Sequence, residues 1–242
     1  MILTMEFKIL LAKIDNWDQK IILRWNGIGG KFFTNILKIF SFFGRETIWI
    51  FLITYFLFIW YDPLLFSYFS STFLIGLILI LTIKQMVSRT RPFEKFGEEK
   101  ILVLGRKPSS RSFPSWHSYN VVSQGLLIGL YFLKSPVITI IALLLAILIS
   151  FSRIQLGVHY PSDVIFGYLF GILGFILSIF LVAPIIFNII TYLEQFSAQE
   201  IQYRQLNSMF YENIWYFILC MMIFCIILIL AVYKSIIKEP IK

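Results

Sequence analysis

The stretch VITIIALLLAILISF (137–151), followed at once by SRIQLGVHYPSD (152–163), decides how this chain is read. Fifteen residues carry no charge. The next dozen hold Arg153, His159 and Asp163, and Val164–Leu193 is again uncharged. An apolar run of this kind has no business in water, and a polar dozen between two such runs lies where lipid meets water. The segment therefore predicts a membrane helix, a short functional loop and a second membrane helix.

The same alternation extends outward in both directions. Thr47–Tyr61 is an uncharged run, short for a span, with Trp49 and Trp60 near its ends. Asp62-Pro63 makes a turn, Leu64–Ile83 is a second span, and residues 85–117 form a long polar loop. Ser118–Leu133 is a third span, and Lys134-Ser135-Pro136 turns into the fourth. Val164–Leu193 is too long for one simple span, and Pro184 is expected to kink or end it. Residues 194–212 are polar, Ile214–Tyr233 is the last span, and Lys234, Lys238 and Lys242 follow it.

The N-terminal part differs. Leu3, Phe7, Leu10, Ile14, Trp17 and Ile21 recur three or four apart, with Lys8, Lys13, Asp15 and Lys20 between them. That period describes an amphipathic helix lying in the interface rather than a cleaved signal peptide. Gly27, Gly29 and Gly30 interrupt it, and Lys31–Phe43 is a second amphipathic stretch. The expected architecture is all-α: an integral membrane bundle of about six transmembrane helices with an N-terminal interfacial helix. It divides into an interfacial segment (1–46), a membrane core (47–193), and a polar loop with the last helix (194–242).

Composition agrees. Charged residues are 14% of the 242, where soluble domains carry roughly 25%. The net charge of +8 reflects basic residues flanking apolar runs, which argues against a nucleic-acid partner. Cys220 and Cys225 both lie inside the last apolar run and read as small hydrophobes, not as a metal motif.

Three polar clusters sit at the ends of apolar runs, and counting crossings puts them on one membrane face. The first holds Lys84 and Arg91-Pro92. Seven residues make two helical turns, so both cations can project the same way, although either could equally be a snorkelling interfacial side chain. The second, Pro114-Ser115-Trp116-His117, and the third, Ser152-Arg153 to Asp163, contain the only two histidines. Two imidazoles among fixed cations can perform phosphoryl chemistry: the cations hold the anion, one imidazole attacks and the other donates a proton. If a helix starts near Pro161, Asp163 can approach His159, fix its tautomer and leave the other ring nitrogen free. Asp163 could also serve as a helix N-cap. Arg89, Arg106, Lys107 and Arg111 have weaker claims on a headgroup, and Glu94, Glu98 and Glu99 read as a solvated face.

In order, spacing and membrane context the three clusters resemble the signature of the type-2 phosphatidic acid phosphatase superfamily, over about 80 residues from Lys84 to Asp163. The resemblance implies that His159 is a nucleophile forming a phosphohistidine and that His117 is the general acid. It implies that Lys84, Arg91, Arg153, Ser115 and the backbone at Trp116 hold the phosphoryl oxygens. No metal or cofactor is implied. The partners implied are a lipid phosphate or diphosphate and the bilayer, with no oligomeric state indicated. Trp116 stands where the family usually has glycine, and related lipid phosphotransferases also tolerate a larger residue there. A phosphotransferase with a lipid acceptor is therefore the alternative, and a non-catalytic membrane relative is a further one.

Sidedness divides the expectations. Nineteen of the 21 Lys and Arg fall on the face carrying the clusters, which predicts a cytoplasmic face. Resemblance to bacterial members implies a site facing outward from the inner membrane, and that is the expectation adopted.

Overall fold

The structure, a computed structural model, describes residues 2–105, 107–197 and 201–236. Arg106, Lys238 and Lys242 lie outside the described residues. The described chain is helical, with no strand beyond a single bridge between Trp60 and Leu206. The helices are α1 (Ile2–Trp25), α2 (Gly30–Phe42), α3 (Glu46–Phe58), α4 (Pro63–Val87), the short α5 (Pro92–Phe96), α6 (Trp116–Leu126), α7 (Pro136–Gln155), α8 (Pro161–Leu177), α9 (Ala183–Glu194), the single turn α10 (Met209–Glu212) and α11 (Ile214–Ile236).

Local chemistry sets the helix starts. Three long helices begin on proline, whose missing N–H costs nothing in a first turn. Before α4, Asp62 accepts hydrogen bonds from Leu64 N and Leu65 N at 3.0 and 2.9 Å. Before α7, Ser135 accepts from Ile138 N at 3.3 Å. At α8 the N-cap is Tyr160, and Asp163 reaches back to accept from Tyr160 N at 2.9 Å. Asp163 is thus the third helical residue and not the cap itself.

Helix α6 is the centre of the bundle, packed between α7 and α8. Gly167, Gly171 and Gly174 make one stripe on α8. A methyl group on them would meet Ser115 O at 2.4 Å, Tyr119 O at 2.8 Å and the Tyr119 hydroxyl at 2.3 Å. The two backbones therefore touch, as small residues allow in membrane bundles. Val122, Ala146 and Ile149 fill one part of the core; Trp49, Phe56, Phe69 and Leu127 fill another. On α7 the opposite stripe, Ile140, Leu144 and Ile147, is exposed, as a lipid-facing surface must be.

Among the described residues, four helical stretches are long and apolar enough to cross a membrane: Pro63–Phe96, Pro136–Gln155, Pro161–Glu194 and Ile214–Ala231. The two remaining expected spans are shorter. Helix α3 has 13 residues, about 20 Å at the usual rise, and α6 with the widened turn Leu127–Phe132 ends after 17. Pro184 does not end its helix. The π-type turn Ser178–Val182 immediately precedes α9 and makes room for a ring that would otherwise crowd the preceding turn, so Pro161–Glu194 runs on as 34 residues.

The connections sort to two ends. At one end the turn at residues 59–62 pairs with the polar loop: Arg204 N donates to Tyr61 O at 2.8 Å and Asn207 N to Ile59 O at 2.9 Å. Lys134 and Pro136 line the same cleft. At the other end the three polar clusters converge with α1 and the α2–α3 turn.

Candidate active site

The cations come first, because their partners are unusual. Lys84, in the last turn of α4, is buried and donates to Arg111 O at 2.6 Å and Ser112 O at 3.3 Å. Arg91, which precedes α5, is 2% exposed. It donates to Ser110 O (2.7 Å), Val158 O (2.7 Å) and the Ser110 hydroxyl (3.1 Å). Arg153, in the last turn of α7, is buried, donates to the Ser41 hydroxyl at 2.6 Å, and has its Nε without a partner. Among the described residues, none of the three has a carboxylate within ion-pair distance. Buried charge without a countercharge is costly, so this arrangement favours an arriving anion.

His159 lies between these cations. Its Nε2 is 3.3 Å from an Arg91 nitrogen, and its Nδ1 is 3.4 Å from Asp163 Oδ2. The second distance lies within reach of an ion pair but does not close a hydrogen bond, and the Ser112 backbone is near enough to act on the ring as well. Contacts of this type commonly tighten only when substrate is bound. Burial, followed by the charges of Arg91, Lys84 and Arg153, pushes the His159 imidazole well below its ordinary 6.5. It is therefore neutral at neutral pH, the form able to attack.

Asp163 is fully buried and heavily engaged. Oδ2 accepts from the Ser112 hydroxyl at 2.5 Å and from Tyr160 N, while Oδ1 accepts from Arg89 at 2.8 Å. Ser112 lies just upstream of the Phe113–His117 stretch and was not singled out from the sequence. Its only sequence signal is that proximity.

His117, half-buried in the first turn of α6, faces the α2–α3 turn. A methyl group on Gly44 would sit 2.8 Å from its ring, so only glycine lets this turn lie flat against it. Asn120 Nδ2 fastens the turn by donating to Gly44 O at 2.8 Å. The next residue, Arg45, is close enough for its charge to act on both His117 and Arg153. Nothing in the sequence tied residues 41–45 to the histidines, since more than 70 positions separate them.

Ser115 is fully buried and caps α6; its hydroxyl accepts from Ser118 N at 3.3 Å. Its own N–H donates to Asp163 O at 2.9 Å. The Trp116 ring stacks on Tyr119 (centroids 5.5 Å, planes 3° apart) and meets Phe73 at 6.1 Å. It packs into the wall between α4 and α6. Arg89, a weak candidate for a headgroup contact, binds Asp18 at 2.7 Å and Asp163 at 2.8 Å. Lys107 pairs with Glu98 at the surface, and Arg111 lends its carbonyl to Lys84 while its side chain is exposed. Among the described residues no three His, Cys, Asp or Glu come together as a metal site.

With this geometry in view, comparison with known proteins is direct. The PAP2 superfamily profile matches residues 60–187. An undecaprenyl-diphosphatase of Sulfolobus acidocaldarius is 31% identical over 166 residues, 68% of this chain and 73% of that protein. The crystal structure of Aquifex aeolicus LpxE superposes with a TM-score of 0.58 at 22% identity, covering 66% of this chain and 93% of that one. A transmembrane PAP2-type phosphatidylglycerolphosphate phosphatase from Bacillus subtilis gives 0.52 at 24% identity, covering 82% and 97%.

Proposed function

Since the chain belongs to the PAP2 superfamily, we propose that it is an integral membrane enzyme that hydrolyses a lipid phosphate or diphosphate through a phosphohistidine. The observation that carries this reading is the set of three buried cations, without carboxylate partners of their own, around one neutral histidine.

In the first step Lys84, Arg91 and Arg153 hold the phosphoryl oxygens. His159 Nε2 attacks phosphorus as the bond to the leaving oxygen breaks, and His117, which takes up a proton once the anionic substrate offsets the burial and the cations that otherwise keep it neutral, gives that oxygen its proton. Asp163 faces Nδ1 and stabilises the positive charge growing on the ring. In the second step His117 takes a proton from water, the water oxygen attacks phosphorus, the P–N bond breaks and inorganic phosphate leaves. Donors held in place for the transition-state charge supply most of the acceleration. No step requires a metal, so activity should survive excess chelator.

Arg45 favours a diphosphate as the substrate. It stands on the His117 side, where the leaving group departs, and a diphosphate leaves with charge that a cation there stabilises, whereas an alkoxide of a monoester is protonated. The 31% identity to an undecaprenyl-diphosphatase supports the same choice. Six crossings, with α3 and α6 as short legs and α1 along the interface, complete the reading, with the site on the extracytoplasmic face of the cytoplasmic membrane.

The test is phosphate release by purified protein in detergent from a polyprenyl diphosphate, a polyprenyl monophosphate and phosphatidic acid, with and without a lipid acceptor. The expected ranking puts the diphosphate first, and Arg45→Ala should lower its kcat/KM about tenfold more than that of the monoesters. Transfer to the acceptor in place of phosphate release would establish the phosphotransferase reading instead.

A further inference from the structure

A fully buried carboxylate on the first helix, Asp18, has no place in the chemistry above. Its Oδ1 accepts from Ser162 N at 2.8 Å, one of the free N–H groups that open α8. Its Oδ2 accepts from Arg89 at 2.7 Å and from the Ser162 hydroxyl. Arg89 uses its other terminal nitrogen on Asp163 Oδ1 (2.8 Å) and on the Ser162 hydroxyl (2.8 Å). Its guanidinium lies 4.1 Å above the Tyr160 ring, and Asp15 completes its surroundings at 3.3 Å. One rigid planar fork thus spans two buried carboxylates, one on α1 and one beside His159, and only arginine has that shape.

The consequence falls on Asp163. Its carboxylate can rotate about its last torsion, which is soft. Arg89 holds Oδ1, while Oδ2 accepts from the Ser112 hydroxyl and Tyr160 N and faces His159 Nδ1. Asp18 keeps Arg89 in place and at the same time anchors the first turn of α8, where Asp163 sits. We infer that Asp18 is a positioning residue of the active site: acting through Arg89 and Ser162, it fixes the rotamer of Asp163 and so the tautomer of His159. The N-terminal helix is then part of the catalytic apparatus and not merely a membrane attachment. This rests on the proposed function only for its kinetic consequence; the geometric consequence can be read without substrate.

Two variants separate positioning from simple support. Asp18→Asn keeps a carbonyl oxygen for Ser162 N and loses the charge that holds Arg89. Arg89→Lys cannot reach both carboxylates at once. Each should lower kcat about 10- to 100-fold, the range known for groups that orient metal-bound histidines from behind, with KM within about threefold. The double variant should be no worse than either single one, since both break one relay. Vanadate binding should persist, showing that the cations remain assembled. Without substrate, 15N spectra in a His117→Ala background report the lone His159 ring. That ring should be protonated at Nδ1 in the parent and a mixture of tautomers after Asp18→Asn. Unchanged kcat together with an unchanged tautomer, or a lower melting temperature alone, would overturn the inference and leave Asp18 as a helix anchor. If the parent protein hydrolyses no lipid phosphate, the proposed function fails while the tautomer measurement still decides this point.

Discussion

The arginines at the two ends of the molecule are treated in opposite ways. At the far end Arg204 pairs with Asp62 at 2.8 Å, and the arginine is 58% exposed. At the site end Arg91 and Arg153 are buried against carbonyl and hydroxyl oxygens, with no carboxylate of their own. Arg89, two residues from Arg91, already has three carboxylates. An arginine whose charge is answered inside the protein holds structure together; one whose charge is left unanswered in the interior is kept for an anion. Proximity to the active site does not tell the two apart, whereas the partner list does.

The largest effect that can test this contrast comes from removing the nucleophile while leaving the cations. His159→Ala should lower turnover by about 10⁴ or more. Vanadate should still bind, because the anion site is made by Lys84, Arg91 and Arg153; loss of both would mean the cradle needs the imidazole. Next in size, Arg91→Ala should cost about 10²–10³ in kcat/KM, as loss of a donor to transition-state charge does. Arg204→Ala should leave kcat/KM within about twofold but should cost about 1–3 kcal/mol of stability, because it leaves the buried Asp62 carboxylate without its partner cation. Equal kinetic losses at the two positions would break the contrast.

A smaller effect concerns protonation. The unfolded chain titrates His159 near 6.5, and the folded protein holds it well below that value. The proton is therefore taken up more readily by the unfolded state, and stability should be lost progressively as pH falls from about 6.5 toward the folded value. Chemical denaturation between pH 8 and 5, in parent and His159→Ala proteins, would show it as a fall present in the first and reduced in the second. A small kinetic effect is also expected at Trp116. Its ring packs on Tyr119 and Phe73, so Trp116→Gly should cost about 1–3 kcal/mol of stability, a partly buried share of the usual aromatic loss, with kcat changed less than about fivefold. A changed ranking of substrates would show instead that the ring reaches the lipid.

Much of this was legible in the sequence for a physical reason. Lys84 and Arg91 share a short spacing, His159 and Asp163 share a helix start at Pro161, and apolar runs without charge announce membrane helices; all are local properties. The rest was non-local. Asp18 meets Ser162, and Gly44 meets His117, only after the bundle has closed. The sequence leaves open whether Pro184 kinks or ends its run, because it shows the ring but not the widened turn ahead of it. Helix α3 is short, as the uncharged run Thr47–Tyr61 already was, and α6 with its widened turn has the length of the run Ser118–Leu133 to within a residue.

The bond between Asp18 and Ser162 joins residues 144 positions apart, which has a meaning for biosynthesis. At about 5–20 residues per second, the first helix waits roughly 7–30 s before its partner has been made. Until Arg89 has been made, 71 positions on, Asp18 is an unanswered carboxylate, and hydrocarbon is the worst place for one. The nascent helix must therefore remain at the aqueous boundary while the later hairpins insert, and it docks last. A chain stalled before residue 160 should leave the first 25 residues open to protease, and the full chain should protect them.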